Sequence, residues 1–151
     1  MKKLLIFVVL PLMVYAQPLV GEADNLTYEK NKVIYTGNVR LTRGNAVLTA
    51  NRVVIHLDEN RKPKLAEAEG NVRYVEGNRR SYANRMVYDF RDEVITLVGD
   101  AKVEEGPNFI ESDEIVYYRK EDRAVAVGRK SRVRTFYVEE KNEKGRLGGK
   151  P

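Results

Sequence analysis

The chain has 151 residues, with 27 Lys and Arg against 22 Asp and Glu, one His, and neither Cys nor Trp. This length suits one folded domain rather than a multidomain enzyme. The lack of cysteine excludes disulfides, cysteine-bound zinc, iron–sulfur clusters and thiol nucleophiles.

Residues 1–16 have the pattern of a secretory signal. A positive start at Lys2 and Lys3 precedes an apolar run over 4–14, and Ala16 ends a small-x-small sequence typical of a cleavage site. Cleavage there would remove two lysines and leave 151 − 16 = 135 residues, with 25 basic against 22 acidic side chains. The alternative is a retained membrane anchor, although the run is shorter than the ~20 residues of a span and contains Pro11.

From residue 17 onward the sequence is typical of an all-β protein. Short runs of Val, Ile, Tyr, Leu and Thr alternate with Gly-Asn, Gly-Asp and charged clusters. No window keeps an i, i+3, i+4 apolar stripe over three turns, and the best helical candidate, residues 61–69, contains Pro63. The sequence therefore predicts strands and no long helix.

Two short phrases alternate along the chain. The first, Gly-Asn-Val-Arg-Leu from Gly37, recurs 33 residues later at Gly70 and 29 residues after that at Gly99, with an eroded fourth copy from Gly128. The second phrase starts with a small residue followed by Asn or Asp, and its copies begin at Ala23, Ala50, Ala83 and Ser112. Repeats of ~30 residues indicate supersecondary units that stack and bury their apolar faces against one another.

Apolar residues recur at every second position within each phrase, which is the period of a strand with one buried face. The positions between them are mostly polar, as at Arg40, Arg73 and Lys102, and are expected to face water. Gly and Asx residues are predicted to turn the chain at sheet corners, because Gly tolerates positive φ and Asx side chains bond backbone donors. The inward set comprises Leu26, Tyr28, Val39, Leu41, Val53, Ile55, Val72, Tyr74, Met86, Tyr88, Ile95, Leu97, Ala101, Val103, Ile115 and Tyr117.

The folded domain is predicted to cover residues 17–138. Residues 139–151 are charged and glycine-rich with little apolar content, so we predict a disordered polar tail there.

Residue patterns for catalysis or metal binding are sparse. His56 is the one imidazole, no nucleophile elbow surrounds a serine, and carboxylates such as Asp58 and Glu59 cluster in turns. There is no phosphate-cradling glycine loop. We therefore predict a protein that is not an enzyme and has neither a metal site nor a cofactor.

Basic clusters at 79–80 and 129–134 could neutralise phosphates of an anionic lipid. Nucleic acid is not expected as a partner, because acidic residues nearly balance the basic ones and a secretory signal takes the chain away from it.

The ordered series of phrases resembles a known family. Residues 35–39, 50–54, 82–88, 97–101 and 110–117, at these spacings behind a secretory signal, are similar to the OstA-type domain of the LptA family of lipopolysaccharide export. The resemblance covers about residues 22–138. It implies a single open, twisted β-jellyroll of stacked antiparallel strands with a groove that accepts lipid.

The same resemblance implies a function. The chain would be a periplasmic lipopolysaccharide-binding carrier that shields the acyl chains of lipid A between the inner and outer membranes, and the inward set would bind the lipid. Edges near residues 26–35 and 125–138 would join related jellyrolls end to end. The implied partners are an LptC-like inner-membrane protein, an LptD-like outer-membrane protein and further copies of the chain in a head-to-tail oligomer.

Two other hypotheses remain. One is a membrane-anchored, LptC-like component of the same pathway, in which the apolar N-terminus is retained. The other is a structural β-solenoid scaffold that binds only protein and has a filled, dry interior. A hydrolase of envelope glycans would need two carboxylates in a cleft, and the sequence contains no such pair.

Overall fold

The computed structural model of the chain describes residues 17–139. The predicted signal over 1–16 and the predicted tail, apart from Glu139, lie outside the described residues. The strands are β1 (Val20–Glu22), β2 (Asn25–Glu29), β3 (Lys32–Arg43), β4 (Ala46–Leu57), β5 (Pro63–Glu76), β6 (Arg79–Asp89), β7 (Val94–Glu105), β8 (Asn108–Tyr118), β9 (Arg123–Val127) and β10 (Arg134–Phe136).

A three-residue 3₁₀ turn, Arg119–Glu121, is the one helical segment within residues 17–139. No helix in this part of the chain is long and apolar enough to cross a membrane. The prediction of an all-β chain is confirmed.

The ten strands form one antiparallel sheet that follows the order of the sequence from β3 to β8. At one end both β1 and β2 pair with β3, and at the other end both β9 and β10 pair with β8. Consecutive long strands are joined by hairpin turns, so every long strand lies between its neighbours in sequence. The two ends of the sheet are therefore made by four short strands.

Each long strand shifts its register near its middle, for example between Thr36 and Val39 and between Glu69 and Val72. Such bulges bend a strand and increase its twist. The sheet consequently folds over into two facing halves. The first half-sheet comprises residues 32–36, 52–57, 63–69, 85–89, 94–98 and 114–118 with β2 and β9, and the second comprises 39–43, 46–50, 72–76, 79–83, 101–105 and 108–112 with β1 and β10.

The corner between the half-sheets is built where the two repeated phrases meet. Gly37, Gly70 and Gly99 have φ of +87°, +84° and +86°, a conformation that side chains rarely adopt. A Cβ at Gly37 would lie 2.6 Å from Asp24, and one at Gly99 would lie 2.6 Å from Asn84. Each glycine thus packs against the Asx residue of the preceding second phrase, which confirms the predicted corner.

The fourth copy of the corner is different. Gly128 does not have positive φ, and the chain leaves the end of β9 to reach β10 in the second half-sheet. Asp113 occupies the Asx position here, and its carboxylate accepts hydrogen bonds from the backbone N–H of Arg129, of Lys130 (2.6 Å) and of Ser131 (2.8 Å). These bonds lower the pKa of Asp113, with the bond from Ser131 contributing most. A charged side chain therefore holds the turn that glycines make elsewhere.

The core lies between the half-sheets and is tightest beside the corner. Val39, Val53, Met86 and Ile115 are the largest fully buried side chains. Alanines flank the register shifts on several strands, and their small size lets the two halves approach each other closely. These alanines are Ala50, Ala68, Ala83 and Ala101.

Candidate functional site

Fourteen of the sixteen residues predicted to face inward are buried or half-buried between the half-sheets. The exceptions are Leu26 and Tyr28, which are 59% and 48% exposed. Both pair with inward residues of β3, Tyr35 and Val33, so both lie on the inner face of β2. They are exposed because the strand that faces this end of the sheet, β1, has only three residues.

Two cavities lie between the half-sheets. Some residues of the inward set line these cavities, and others form the packed core. The N-terminal cavity, of about 790 Å³, is lined by Leu41, Ile55 and Tyr88 from that set. The C-terminal cavity, of about 430 Å³, is lined by Ile95, Leu97, Val103, Ile115 and Tyr117. Tyr74 lines both cavities. We call the space formed by the two cavities the trough.

Besides the exposed Leu26 and Tyr28, five members of the inward set lie outside the linings of these cavities and form the core beside the corner. They are Val39, Val53, Val72, Met86 and Ala101, all at most 2% exposed. Conversely, the linings include residues that were not predicted from the sequence, among them the apolar Leu48 and Phe90 in the N-terminal cavity and Ile110 in the C-terminal one. Leu48 and Ile110 follow the same two-residue period as the inward set and could have been found by extending it past the phrases.

The side of the jellyroll opposite the corner is the mouth of the trough. The turns after residues 43, 76 and 105 bound it on the second half-sheet, and the turns at 58–62, 90–93 and 119–122 bound it on the first. The inward residues nearest the mouth on the second half-sheet form one row across the strands, which we call the lip row. It comprises Arg43, Ala46, Glu76, Arg79, Glu105 and Asn108. The apolar floor of the trough therefore ends, on this side, at a row of mostly charged side chains.

Arg119 crosses the mouth from the first half-sheet to the lip row of the second. Its Nη2 donates to Glu76 Oε2 at 3.2 Å and its Nη1 donates to the Tyr88 hydroxyl at 2.9 Å. The Tyr74 hydroxyl donates to Glu76 Oε1 at 3.3 Å, and the rings of Tyr74 and Tyr88 meet edge to face at 6.3 Å. We call these four residues the Arg119 clasp.

The electrostatics of the clasp follow from its partial burial. Burial raises the pKa of the Tyr74 hydroxyl, and the negative charge of Glu76 raises it further. Tyr74 consequently stays neutral and remains a hydrogen-bond donor to Glu76. The Arg119 and Glu76 side chains keep 28% and 34% of their surface exposed, so solvent and solutes reach the ion pair.

Two arginines of the lip row lie against aromatic side chains on the opposite side of the mouth. The guanidinium of Arg79 is 5.0 Å from the centroid of the Tyr117 ring, and that of Arg43 is 6.0 Å from the centroid of Phe90. Cation–π contacts of this kind contribute about 0.5–1 kcal/mol at exposed sites. The mouth is therefore crossed by one ion pair and two cation–π contacts.

His56 lies on the outward face of β4, where its Nε2 is 3.2 Å from Glu67 Oε1 on β5. Within residues 17–139, no group of three or more His, Cys, Asp or Glu residues is arranged to hold a metal ion. The His56–Glu67 contact is a cross-strand polar pair of the kind found on many sheets.

The strand order, the corner and the charged mouth define an open β-jellyroll with an apolar trough. A family model described as LptA/(LptD N-terminal domain) LPS transport protein matches residues 21–123, and the chain belongs to this family. Membership confirms the resemblance inferred from the sequence, and it confirms that the protein is not an enzyme, since the family is one of transport proteins.

The fold is also that of a solved relative. The chain is similar to LptH, described as the LptA homologous periplasmic component of the conserved lipopolysaccharide transport device from Pseudomonas aeruginosa. The TM-score is 0.74 at 22% sequence identity, and the match covers 81% of this chain and 96% of that chain. This similarity confirms the predicted jellyroll. No curated protein sequence matches the chain.

Proposed function

We propose that the chain is a periplasmic carrier of lipopolysaccharide. The acyl chains of lipid A lie in the trough, while phosphates and sugars stay at the mouth. The observation that carries this proposal is the pair of cavities, of about 790 and 430 Å³, which lie beneath a polar mouth rather than a closed core. A filled scaffold would not need them.

The driving force for lipid entry is the hydrophobic effect. Each CH₂ group removed from water contributes about 0.8 kcal/mol, so an acyl chain of ordinary length gains enough to offset its loss of freedom. Leu41, Leu48 and Ile55 supply the apolar floor of the N-terminal cavity, and Ile95, Leu97 and Ile115 supply that of the C-terminal cavity. The trough has no source of energy of its own, so the direction of transport comes from other components.

Two observations support the periplasm as the compartment. The N-terminal sequence has the pattern of a cleaved secretory signal, and the structurally similar LptH is itself a periplasmic component.

The ends of the sheet support a bridging role. β2 exposes Leu26 and Tyr28 on its inner face, and at the far end β10 and the residues after it expose Phe136 and Tyr137. Edge strands with unpaired backbone groups bind further strands. We propose that jellyrolls of an LptC-like inner-membrane protein, an LptD-like outer-membrane protein, or further copies of this chain add at these ends and extend the trough.

Site-specific photo-crosslinking tests the carrier function. A photoreactive phenylalanine analogue replaces Tyr88 or Tyr117 on the trough side, and Tyr82 or Tyr118 in the same strands serves as the matched outward control. The variants are incubated with purified lipopolysaccharide and irradiated. Adducts at Tyr88 and Tyr117 but not at Tyr82 and Tyr118 are expected. Equal labelling on both faces, or none in a protein with intact strand signal, would exclude a lipid-carrying trough and favour the scaffold.

The anchored alternative has its own observation, the apolar run over residues 4–14. Sequencing the N-terminus of the protein purified from cells distinguishes the two hypotheses. The carrier is expected to start at about Gln17, whereas an LptC-like component would keep Met1 and fractionate with membranes.

A further inference from the structure

The Arg119 clasp is an unusual feature of the mouth because it joins the two half-sheets through a full ion pair. Among the ion pairs formed within residues 17–139, the remaining ones lie inside one half-sheet or between it and an adjoining loop. Arg119 and Glu76 are 43 residues apart in sequence, on opposite sides of the trough. Their contact therefore ties the two walls together.

The clasp lies at the boundary between the two cavities. Tyr74 and Glu76 line both of them, and Arg119 and Tyr88 line the N-terminal cavity. A molecule that extends along the trough from one cavity to the other passes the position where Arg119 meets Glu76. The ion pair must consequently be released, or be bypassed on its solvent side, for the two cavities to hold one ligand.

The chemistry of Arg119 indicates what could release it. A guanidinium has five N–H donors in a fixed fork, and Arg119 uses Nη1 and Nη2 on Tyr88 and Glu76. A phosphomonoester offers three strong acceptor oxygens and up to two negative charges, and it pairs with arginine in a bidentate manner. Glu76, once displaced, keeps the hydrogen bond from Tyr74 and is not left without a partner.

The surroundings of the clasp favour an anion. The N-terminal cavity is lined by three cationic side chains, Arg43, Lys62 and Arg119, against the two carboxylates of Glu76 and Glu93. These cations surround an apolar floor, so the site combines a charged rim with space for hydrocarbon. A soluble anion would pair only with the cationic side chains of the rim, whereas an anionic amphiphile would also fill the apolar space with its hydrocarbon.

We propose that Arg119 is a phosphate-binding site for an anionic amphiphile, and that the phosphate takes the place of Glu76 as its partner. This inference rests on the proposed function, because it requires acyl chains in the trough. The exchange breaks the tie between the half-sheets where the headgroup sits, so a phosphorylated headgroup favours the joining of the two cavities. The clasp thus couples opening of the trough to recognition of the ligand.

The test compares two forms of one lipid on the full chain, with the photoreactive residue at position 117 as the reporter. The first form is lipid A with its phosphates, and the second is the same lipid A after their enzymatic removal. Crosslinking yield is measured against lipid concentration for the parent protein, Arg119→Gln and Glu76→Gln. Arg134→Gln is the matched control, because Arg134 forms an arginine–glutamate pair of 3.1 Å with Glu111 and neither residue lines either cavity of the trough.

The parent protein is expected to prefer the phosphorylated lipid by about tenfold, the lower end of what one hydrogen bond to a charged group contributes. Arg119→Gln removes this preference. Glu76→Gln increases it by roughly threefold to tenfold, since the competing carboxylate is gone. Arg134→Gln leaves it unchanged.

An Arg119→Gln protein that keeps the parent preference would overturn the phosphate site, while the proposed function would stand because both lipids still crosslink. If Arg119→Gln loses its strand signal in circular dichroism, the result for Glu76→Gln is used instead. In that case, a Glu76→Gln protein with the same preference for phosphorylated lipid as the parent overturns the phosphate site. If neither lipid crosslinks to the parent protein, the proposed function fails and the phosphate site fails with it.

Discussion

At the corner of the jellyroll, glycines with φ near +85° lie directly against Asx side chains, as Gly99 does against Asn84. At the mouth, the same strands end in charged side chains that meet the opposite wall through an ion pair and cation–π contacts. The corner contacts depend on backbone conformation and leave no space for another group. The mouth contacts are partly exposed and can be exchanged. The molecule is therefore fixed along one edge and releasable along the other.

The largest expected effect is at the corner. Gly70→Ala would place a Cβ against Asn51 and force a side chain into a left-handed conformation at φ +84°. We expect a loss of about 2–5 kcal/mol in the free energy of unfolding, from backbone strain together with overpacking. The measurement is urea unfolding followed by circular dichroism.

Gly106→Ala is the matched control at the mouth. This glycine also has positive φ, at +61°, but a Cβ added there would have no atom within 4 Å, so only the strain of about 1–2 kcal/mol applies. Equal losses for the two variants would contradict the claim that close packing makes the corner rigid.

The next effect concerns the fourth copy of the corner, where the Asp113 carboxylate holds the turn by accepting backbone hydrogen bonds from residues 129–131. Since hydrogen bonds from Ser131, Arg129 and Lys130 lower the pKa of Asp113, their stabilisation is complete above the unfolded pKa of about 3.9 and is lost as pH falls through the lower folded value. We expect the amides of 129–131 to lose hydrogen-exchange protection on acidification in this range. In Asp113→Asn the protection is expected to be weak already at pH 7.

Asp58→Asn is the control for this experiment. Asp58 also accepts backbone hydrogen bonds, from Asn60 and Lys62, and its pKa is likewise lowered. Its turn is additionally closed by backbone bonds between Asp58 and Lys62 and between Arg61 and Asp58. The turn at 58–62 is therefore expected to keep its protection. Loss of both segments together would indicate global unfolding rather than release of one corner.

The smallest expected effect is at the mouth. Arg119→Gln and Glu76→Gln each remove a partly exposed ion pair, which contributes no more than about 1 kcal/mol, and the difference from the parent should shrink in 1 M salt. The measurement is thermal unfolding at low and high salt. A loss as large as that of Gly70→Ala would show that the clasp is structural and that the mouth is as fixed as the corner.

The sequence predicted the corner and the inward faces for a physical reason. Both depend on neighbours within one phrase: a two-residue period sets which side chains share a face, and a Gly-Asx pair sets where the strand bends. The exposure of Leu26 and Tyr28 was not predictable in this way, because the period identifies a face but not whether another strand covers it.

The mouth was not predictable from the sequence at all. Arg119 and Glu76 meet only because the sheet folds over, and nothing in either local sequence marks the other as its partner. The short edge strands β1 and β10 were also missed as separate elements, since a three-residue strand carries too little alternation to be recognised.

The strand order of the sheet has a consequence for how such proteins change over evolution. Each segment from one corner glycine to the next, such as Gly37 to Gly70, begins and ends at equivalent points and contributes two strand widths to the sheet. Duplicating one segment would lengthen the molecule by about 10 Å without altering any existing pairing. The length of such a jellyroll is thus a quantity that gene duplication can adjust in fixed increments, much as repeat number sets the length of a solenoid.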